Sequence, residues 1–232
     1  MTQEFYVLDM VDASAHRLYA GGQCMNCTRQ RCSACGVLTE TSEPAEIEIA
    51  LNHLGRQGFT EHLWGLYPMF REDLMELWRS AGLTGFQVKP IRIVGWYDSP
   101  RKPRPTKIPT YYRLITTSRV QLVEPKVIKG PCPTCGFIEY KFPKTGTHLR
   151  NGLRADPSSW DGSDFFGLLH YDFIFCTRRV AEVTLEAGYN RHIAFVRLED
   201  WERWEEFDVK KWTPKAYQEH IESFLIRRPE DL

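Results

Sequence analysis

A chain of 232 residues with 42% hydrophobic side chains is long and apolar enough to bury a sizeable core, as one large domain or two small ones. Its 30 basic and 30 acidic residues cancel, which argues against a nucleic-acid binder that works through bulk charge. No stretch approaches the ~20 apolar residues that span a bilayer, and the start has neither the basic nor the long apolar region of a secretory signal, so a cytoplasmic protein with no membrane partner is expected.

In chain order, Glu4-Phe5-Tyr6-Val7-Leu8 reads as a first strand, followed by a cysteine-rich loop. Residues 46–51 alternate and read as a strand or as the start of a mixed segment. The clearest helix is predicted over 71–81. Leu74, Leu77 and Trp78 fall at helical spacing, Glu72 and Asp73 suit its first turn, and Gly82 stops it. Residues 86–94 form a strand in which Pro90 favours an edge or a bulge. Residues 98–109, with four prolines and four basic side chains, form an exposed loop, and 111–123 a long strand or hairpin. Residues 141–162 are polar and irregular. Then Phe173 to Cys176 is strand-like, Thr177 can cap a helix over 178–187, Gly188 ends it, and 193–198 is a strand. The helix-ending patterns Leu74-x-x-Leu77-x-x-x-Ala81-Gly82 and Val180-x-x-Val183-x-x-x-Ala187-Gly188 share one spacing, with a strand after each. That suggests a duplicated helix–strand unit with Leu74, Leu77, Val180 and Val183 in the core. Pro214 opens a last helix, to about Arg228, with Tyr217, Ile221, Phe224 and Leu225 on one face.

The chemistry is concentrated in the seven cysteines, an odd number spaced as pairs, which fits zinc in a reducing compartment better than a secreted disulfide framework. Cys32-Ser33-Ala34-Cys35-Gly36 and Cys132-Pro133-Thr134-Cys135-Gly136 are matched knuckles that start 100 positions apart. Each offers two thiolates on a tight turn, and the glycine permits the positive φ such a turn needs. Together Cys32, Cys35, Cys132 and Cys135 make the donor set of a tetrahedral zinc site with no open position, hence structural. The alternatives are a redox pair or plain structural thiols. Cys24-Met25-Asn26-Cys27 lacks the trailing glycine. Its cysteines are expected as spare thiols, in preference to alternative ligands or half of a second site with a histidine such as His16. Cys176, in an apolar run, is expected to be a small buried hydrophobe.

The order of these features resembles the double-CXXCG-motif proteins, a myxobacterial paralogous family that includes immunity proteins of the Sit swarm-inhibition toxins. The matching segments are the first knuckle, the helix ending Ala81-Gly82-Leu83-Thr84-Gly85-Phe86, the second knuckle in Pro131-Cys132-Pro133-Thr134-Cys135-Gly136, then Asp164-Phe165-Phe166 and the block from Phe173 to Glu182. The resemblance covers about residues 1–198, while the Cys24/Cys27 pair and the tail after Glu199 depart from the family's pattern. It implies an inhibitor that binds one cognate toxin domain and performs no catalysis itself.

The residues agree with that implication. No nucleophile elbow, phosphate-binding glycine loop, HExxH or paired acid–base motif is present. His53 and His62 are not at ligand spacing, and His170 and His192 are expected to be structural. The tail interleaves Glu199, Asp200, Glu202, Glu205, Glu206 and Asp208 with Trp201, Trp204 and Trp212. The three tryptophans are candidate anchors for the toxin, and the acids are either a solvated face or a match for a basic nuclease cleft. The expectation is therefore an α+β fold: a single domain over 1–198, with two related helix–strand units bridged by the zinc knuckle pair. Residues 199–232 add a Trp-rich acidic segment and a docked C-terminal helix. The alternative is a zinc-ribbon nucleic-acid-binding or regulatory protein, for which the basic loop Arg101-Lys102-Pro103-Arg104-Pro105-Thr106-Lys107 speaks. A zinc or thiol enzyme would need an open coordination position or a low-pKa cysteine.

Overall fold

The computed structural model describes residues 4–10, 20–42, 44–63, 65, 67–97, 105–121, 126–141, 155–168, 174–198, 200, 219 and 223–232. Its first strands are β1 (Phe5–Met10), β2 (Gly21–Cys24), β3 (Thr28–Arg31), β4 (Leu38–Ser42), β5 (Ile47–His53), β6 (His62–Leu63) and β7 (Met69–Arg71). Helix α1 (Glu72–Ser80) follows, then β8 (Phe86–Trp96), β9 (Tyr111–Thr116), β10 (Arg119–Val120), β11 (Lys126–Lys129) and β12 (Glu139–Lys141). The remaining elements are β13 (Phe165–Leu168), β14 (Ile174–Thr177), α2 (Arg178–Glu186) and β15 (Ile193–Arg197). Sheets and helices are mixed, as expected of an α+β chain. The chain divides into two compact units. One comprises Met1–Asp9, Leu83–Gly85 and Thr116–Leu232, and the other Met10–Gly82 and Phe86–Ile115.

The unit that holds α1 is built on a six-stranded sheet of order β2-β5-β8-β9-β7-β6. Ile47, Ile49 and Leu51 alternate inward along β5 and are fully buried, together with Leu63, Met69 and Tyr111. Strand β8 lies inside the sheet, between β5 and β9, rather than at its edge. Pro90 is accommodated there because its residue precedes the first pair with β5, Ile47 with Ile91, so its missing N–H breaks no rung of that ladder. The bulge falls further on, at Val94 and Gly95, where the pairing steps from Ile93 to Gly95.

Glu72 and Asp73 open α1, where the helix dipole favours acids, and the Arg71 guanidinium forks onto the Asp73 carboxylate at 2.7 Å through both Nε and an η nitrogen. Gly82, at φ 66°, ends the helix. Leu74, Met75 and Trp78 are buried. Leu77, expected in the core, is only half-buried, because the inward face runs i, i+1, i+4 rather than i, i+3. Trp78 takes its place, edge-on to Phe70 and Phe86.

The other unit is built on a five-stranded sheet of order β10-β13-β14-β1-β15. Phe5, Val7, Phe166, Phe175 and Val196 form its core with Val120 and Leu198. Helix α2 repeats the length of α1 and its buried positions: Val180, Ala181 and Thr184 stand where Leu74, Met75 and Trp78 stand, joined by Leu185. Val183, like Leu77, is half-buried, a second correction to the expected core. Gly188 ends α2 at φ 83°. The long strand or hairpin expected over 111–123 is, among the described residues, two short strands in different sheets, β9 and β10, parted at Thr117 and Ser118. The helix expected from Pro214 to Arg228 lies largely outside the described residues. Of its described residues, Glu219, Ser223 and Phe224 are helical, and the chain leaves the helix before Arg228: Ile226 is extended and pairs with Phe195, while Phe224 and Leu225 pack against the core of this unit.

Asp164 ties this unit together. Its carboxylate accepts from Thr84 N (2.9 Å), Thr84 Oγ1 (3.1 Å), Thr177 Oγ1 (3.1 Å) and the Arg179 guanidinium (3.2 Å). Thr177 was expected to cap α2, but its hydroxyl is engaged by this acid and makes no cap bond. The segment beside it needs glycine at position 85 twice over: φ is 84°, and a Cβ would collide with the Phe165 carbonyl. Asp164→Ala is expected to lower unfolding stability by about 2–3 kcal/mol, because the buried Thr177 hydroxyl and the part-buried Thr84 amide lose their acceptor. Urea unfolding of the variant, with an unchanged slope, checks this.

Candidate metal centre

Each Cys-x-x-Cys-Gly segment is the turn of a two-stranded sheet. Antiparallel β3 and β4 carry the first, with Arg31 opposite Leu38, and antiparallel β11 and β12 carry the second, with Lys129 opposite Glu139. Neither hairpin shows the apolar alternation that marks a strand in sequence: β3 reads Thr-Arg-Gln-Arg and β11 reads Lys-Val-Ile-Lys. The backbone of the two turns is the same bond for bond. Gly36 N donates to Cys32 O at 2.8 Å, and Gly136 N donates to Cys132 O at 2.8 Å. Cys32 N donates to Val37 O and Cys132 N to Phe137 O, again at 2.8 Å each. Gly36 and Gly136 have φ of 75° and 72°, and a Cβ at either would meet nothing within 4 Å. Glycine is needed there for the left-handed backbone and not for space. The Arg31 guanidinium donates to Gly36 O at 2.7 Å and braces the first turn.

The Sγ atoms of Cys32, Cys35, Cys132 and Cys135 all lie within 4.8 Å of one another. A tetrahedral ion with M–S bonds of ~2.3 Å needs sulfurs ~3.8 Å apart, so these four residues can hold a metal ion with little movement. A tetrahedral set of four thiolates suits zinc or iron. It uses every position of the tetrahedron, so an ion held there is closed to substrate. Cys32 is buried and Cys35 lies at the surface.

The remaining cysteines are elsewhere. Cys24 and Cys27, expected as spare thiols, are joined in a disulfide. The end of β2 and the start of β3 bring their Cα atoms to 5.7 Å, inside the range a disulfide spans, and neither residue needs the left-handed glycine of a metal knuckle. The phenol of Tyr67, forty residues on, donates to Cys27 Sγ at 3.3 Å, a partner that no spacing rule announces. Cys176 is wholly buried, as expected. Burial, and then the nearby Asp164 charge, push its thiol well above the ordinary range, which keeps it protonated and a poor nucleophile. His62 and His192 are buried, and among the described residues no histidine joins the four-cysteine cluster. Trp201, Trp204, Trp212, His16 and His170 lie outside the described residues. No helix among the described residues is long and apolar enough to cross a membrane.

No protein-family model matches the chain, and no curated protein matches it in sequence.

Proposed function

We propose that this protein is a zinc-stapled immunity protein, which binds a cognate toxin domain in the cytoplasm and neutralises it without turning anything over. The observation that carries the proposal is the donor set of the metal centre. Four cysteine sulfurs lie within 4.8 Å of one another, a donor set that can fill all four positions of a tetrahedral ion and leave none for a substrate. Zinc is the ion of choice, since it is redox-inert and favours this geometry. The chain lacks any motif for nucleophilic or acid–base chemistry, which leaves binding as its mode of action. The resemblance to the double-CXXCG proteins supplies the class of partner. On the same reading, α1 and α2 with their flanking strands are two copies of one ancestral unit, since their lengths and buried positions coincide. The Trp-rich tail, Trp201, Trp204 and Trp212, is the toxin-facing surface.

Co-expression tests this. A toxin-domain reading frame next to this gene is expressed with and without it. Cells are expected to survive only with the wild-type protein, and purification to yield a stoichiometric complex. The Trp201→Ala, Trp204→Ala double variant is expected to fold and bind metal but to lose protection. Unimpaired protection by that variant removes the tail from the interface. Salt-dependent binding of RNA or DNA by the isolated protein favours the nucleic-acid reading instead.

A further inference from the structure

The Cys24–Cys27 disulfide is no part of the four-cysteine cluster. We propose that it is a thiol–disulfide exchange site whose reactant is a dithiol reductant, with Cys24 the sulfur attacked and Cys27 the sulfur that leaves.

Three observations give it that character. First, the turn that carries it is held independently of the S–S bond. Met25 N donates to Glu48 O at 2.8 Å, Asn26 Nδ2 donates to Glu46 O at 2.9 Å, and Glu48 N donates to Asn26 Oδ1 at 2.9 Å. When the bond opens, the two sulfurs stay facing each other, and the reaction can run back. Second, the pair sits where a reductant can reach it. Both cysteines are half-buried over the core of their unit, and Met25 between them is 48% exposed at the apex of the turn. A purely structural cross-link gains most from closing a long loop, and this one spans a sequence separation of only 3.

Third, the two sulfurs have unlike surroundings. The Tyr67 hydroxyl donates to Cys27 Sγ at 3.3 Å, and the Arg113 guanidinium lies 3.7 Å from the centre of the Tyr67 ring. A cation on the ring face makes the phenol a better donor, and a donor on sulfur favours the thiolate. Cys24 Sγ instead lies 3.7 Å from Asn26 Oδ1, an acceptor, which favours the protonated thiol. A disulfide breaks faster when the departing sulfur is the better thiolate, so Cys27 leaves.

One thiolate of the reductant attacks Cys24 Sγ, the Cys24–Cys27 bond breaks, and its electron pair goes to Cys27 Sγ beside the Tyr67 hydroxyl. The second thiol of the reductant loses its proton and attacks its own sulfur in the mixed disulfide. That expels Cys24, which takes up a proton and turns its S–H to Asn26 Oδ1. The reductant ends as a disulfide, and two electrons pass to the cysteine pair. One of the two protons released goes to Cys24, and the other is available to Cys27 or solvent.

The test uses the folded, metal-loaded protein with dithiothreitol as the probe, alkylation by iodoacetamide and peptide mass mapping. Without reductant, Cys24 and Cys27 are expected to resist alkylation. With it, both are labelled while metal content is unchanged, and oxidised glutathione restores resistance. Cys27→Ser is expected to trap glutathione on Cys24 as a stable mixed disulfide. Tyr67→Phe is expected to slow reduction about tenfold, the effect of one hydrogen bond to a charged sulfur. Alkylation of both cysteines before any reductant is added overturns the proposal, as does a bond that opens only when the protein unfolds. A wild-type rate in Tyr67→Phe overturns the assignment of Cys27 as the leaving sulfur.

Discussion

Cys35→Ser and Cys132→Ser are each expected to lose the metal and to leave the protein largely insoluble, whereas Cys24→Ser does neither. The difference follows from where the sulfurs are. Cys35 and Cys132 each supply one of four donors that lie within 4.8 Å of one another, in knuckles that start 100 positions apart in sequence. A structural thiolate site contributes roughly 10 kcal/mol or more to folding, which is as much as the whole net stability of an ordinary domain. Losing one ligand forfeits most of that and strands the remaining thiolates together. Cys24→Ser opens a cross-link over a very short loop, worth about 2 kcal/mol on the chain-entropy account, and leaves the hydrogen bonds of the turn in place. Metal analysis of the purified or refolded variants decides the matter. Loss of metal in Cys24→Ser with retention in Cys35→Ser would show that the ligands are misassigned.

The second large effect is expected at Trp78. Trp78→Ala should cost about 3–5 kcal/mol, while Leu77→Ala, one residue away on the same helix, should cost less than about 1.5 kcal/mol. Trp78 is fully buried, with Phe70 and Phe86 edge-on at 5.3 Å and 6.4 Å between ring centres, so truncation opens a cavity and removes two aromatic contacts. Leu77 is only half-buried, so its truncation leaves a notch open to water rather than a closed cavity. Paired denaturant curves give both values. Equal losses at the two positions would mean that α1 is rotated about its axis relative to the face described.

The helices and both knuckles were legible in the sequence because each carries a local signal. Acids open α1, an Ala-Gly step closes both helices, and a glycine of positive φ marks both metal turns. The inward faces were less legible. In a helix of nine residues, Leu74 can be matched with Leu77 or with Met75 and Trp78, and only packing against the sheet chooses between them. The hairpins β3–β4 and β11–β12 left no pattern, since their strands read Thr-Arg-Gln-Arg and Lys-Val-Ile-Lys with no alternation of apolar and polar residues. The break between β9 and β10 was hidden for a related reason: residues 111–120 all favour extended backbone, and which sheet each half joins is set by partners far away in sequence. Pro90 pointed to an edge because a proline costs a ladder hydrogen bond, yet its position before the first β5 pair spares the β5 ladder. The Cys24–Cys27 bond went unread because the missing glycine speaks only to metal knuckles. It says nothing of a disulfide, which requires a short Cα separation and no special backbone.

The most direct test of the account is X-ray absorption at the metal edge of the purified native protein, with metal quantified per chain. The account predicts one zinc per chain, surrounded by four sulfurs at ~2.3 Å with no oxygen or nitrogen neighbour, and a spectrum unchanged by added small-molecule ligands. Fewer than four sulfurs, or an oxygen or nitrogen ligand that exchanges with added ligand, would contradict it, because an open metal position belongs to an enzyme and not to a protein that acts by binding alone.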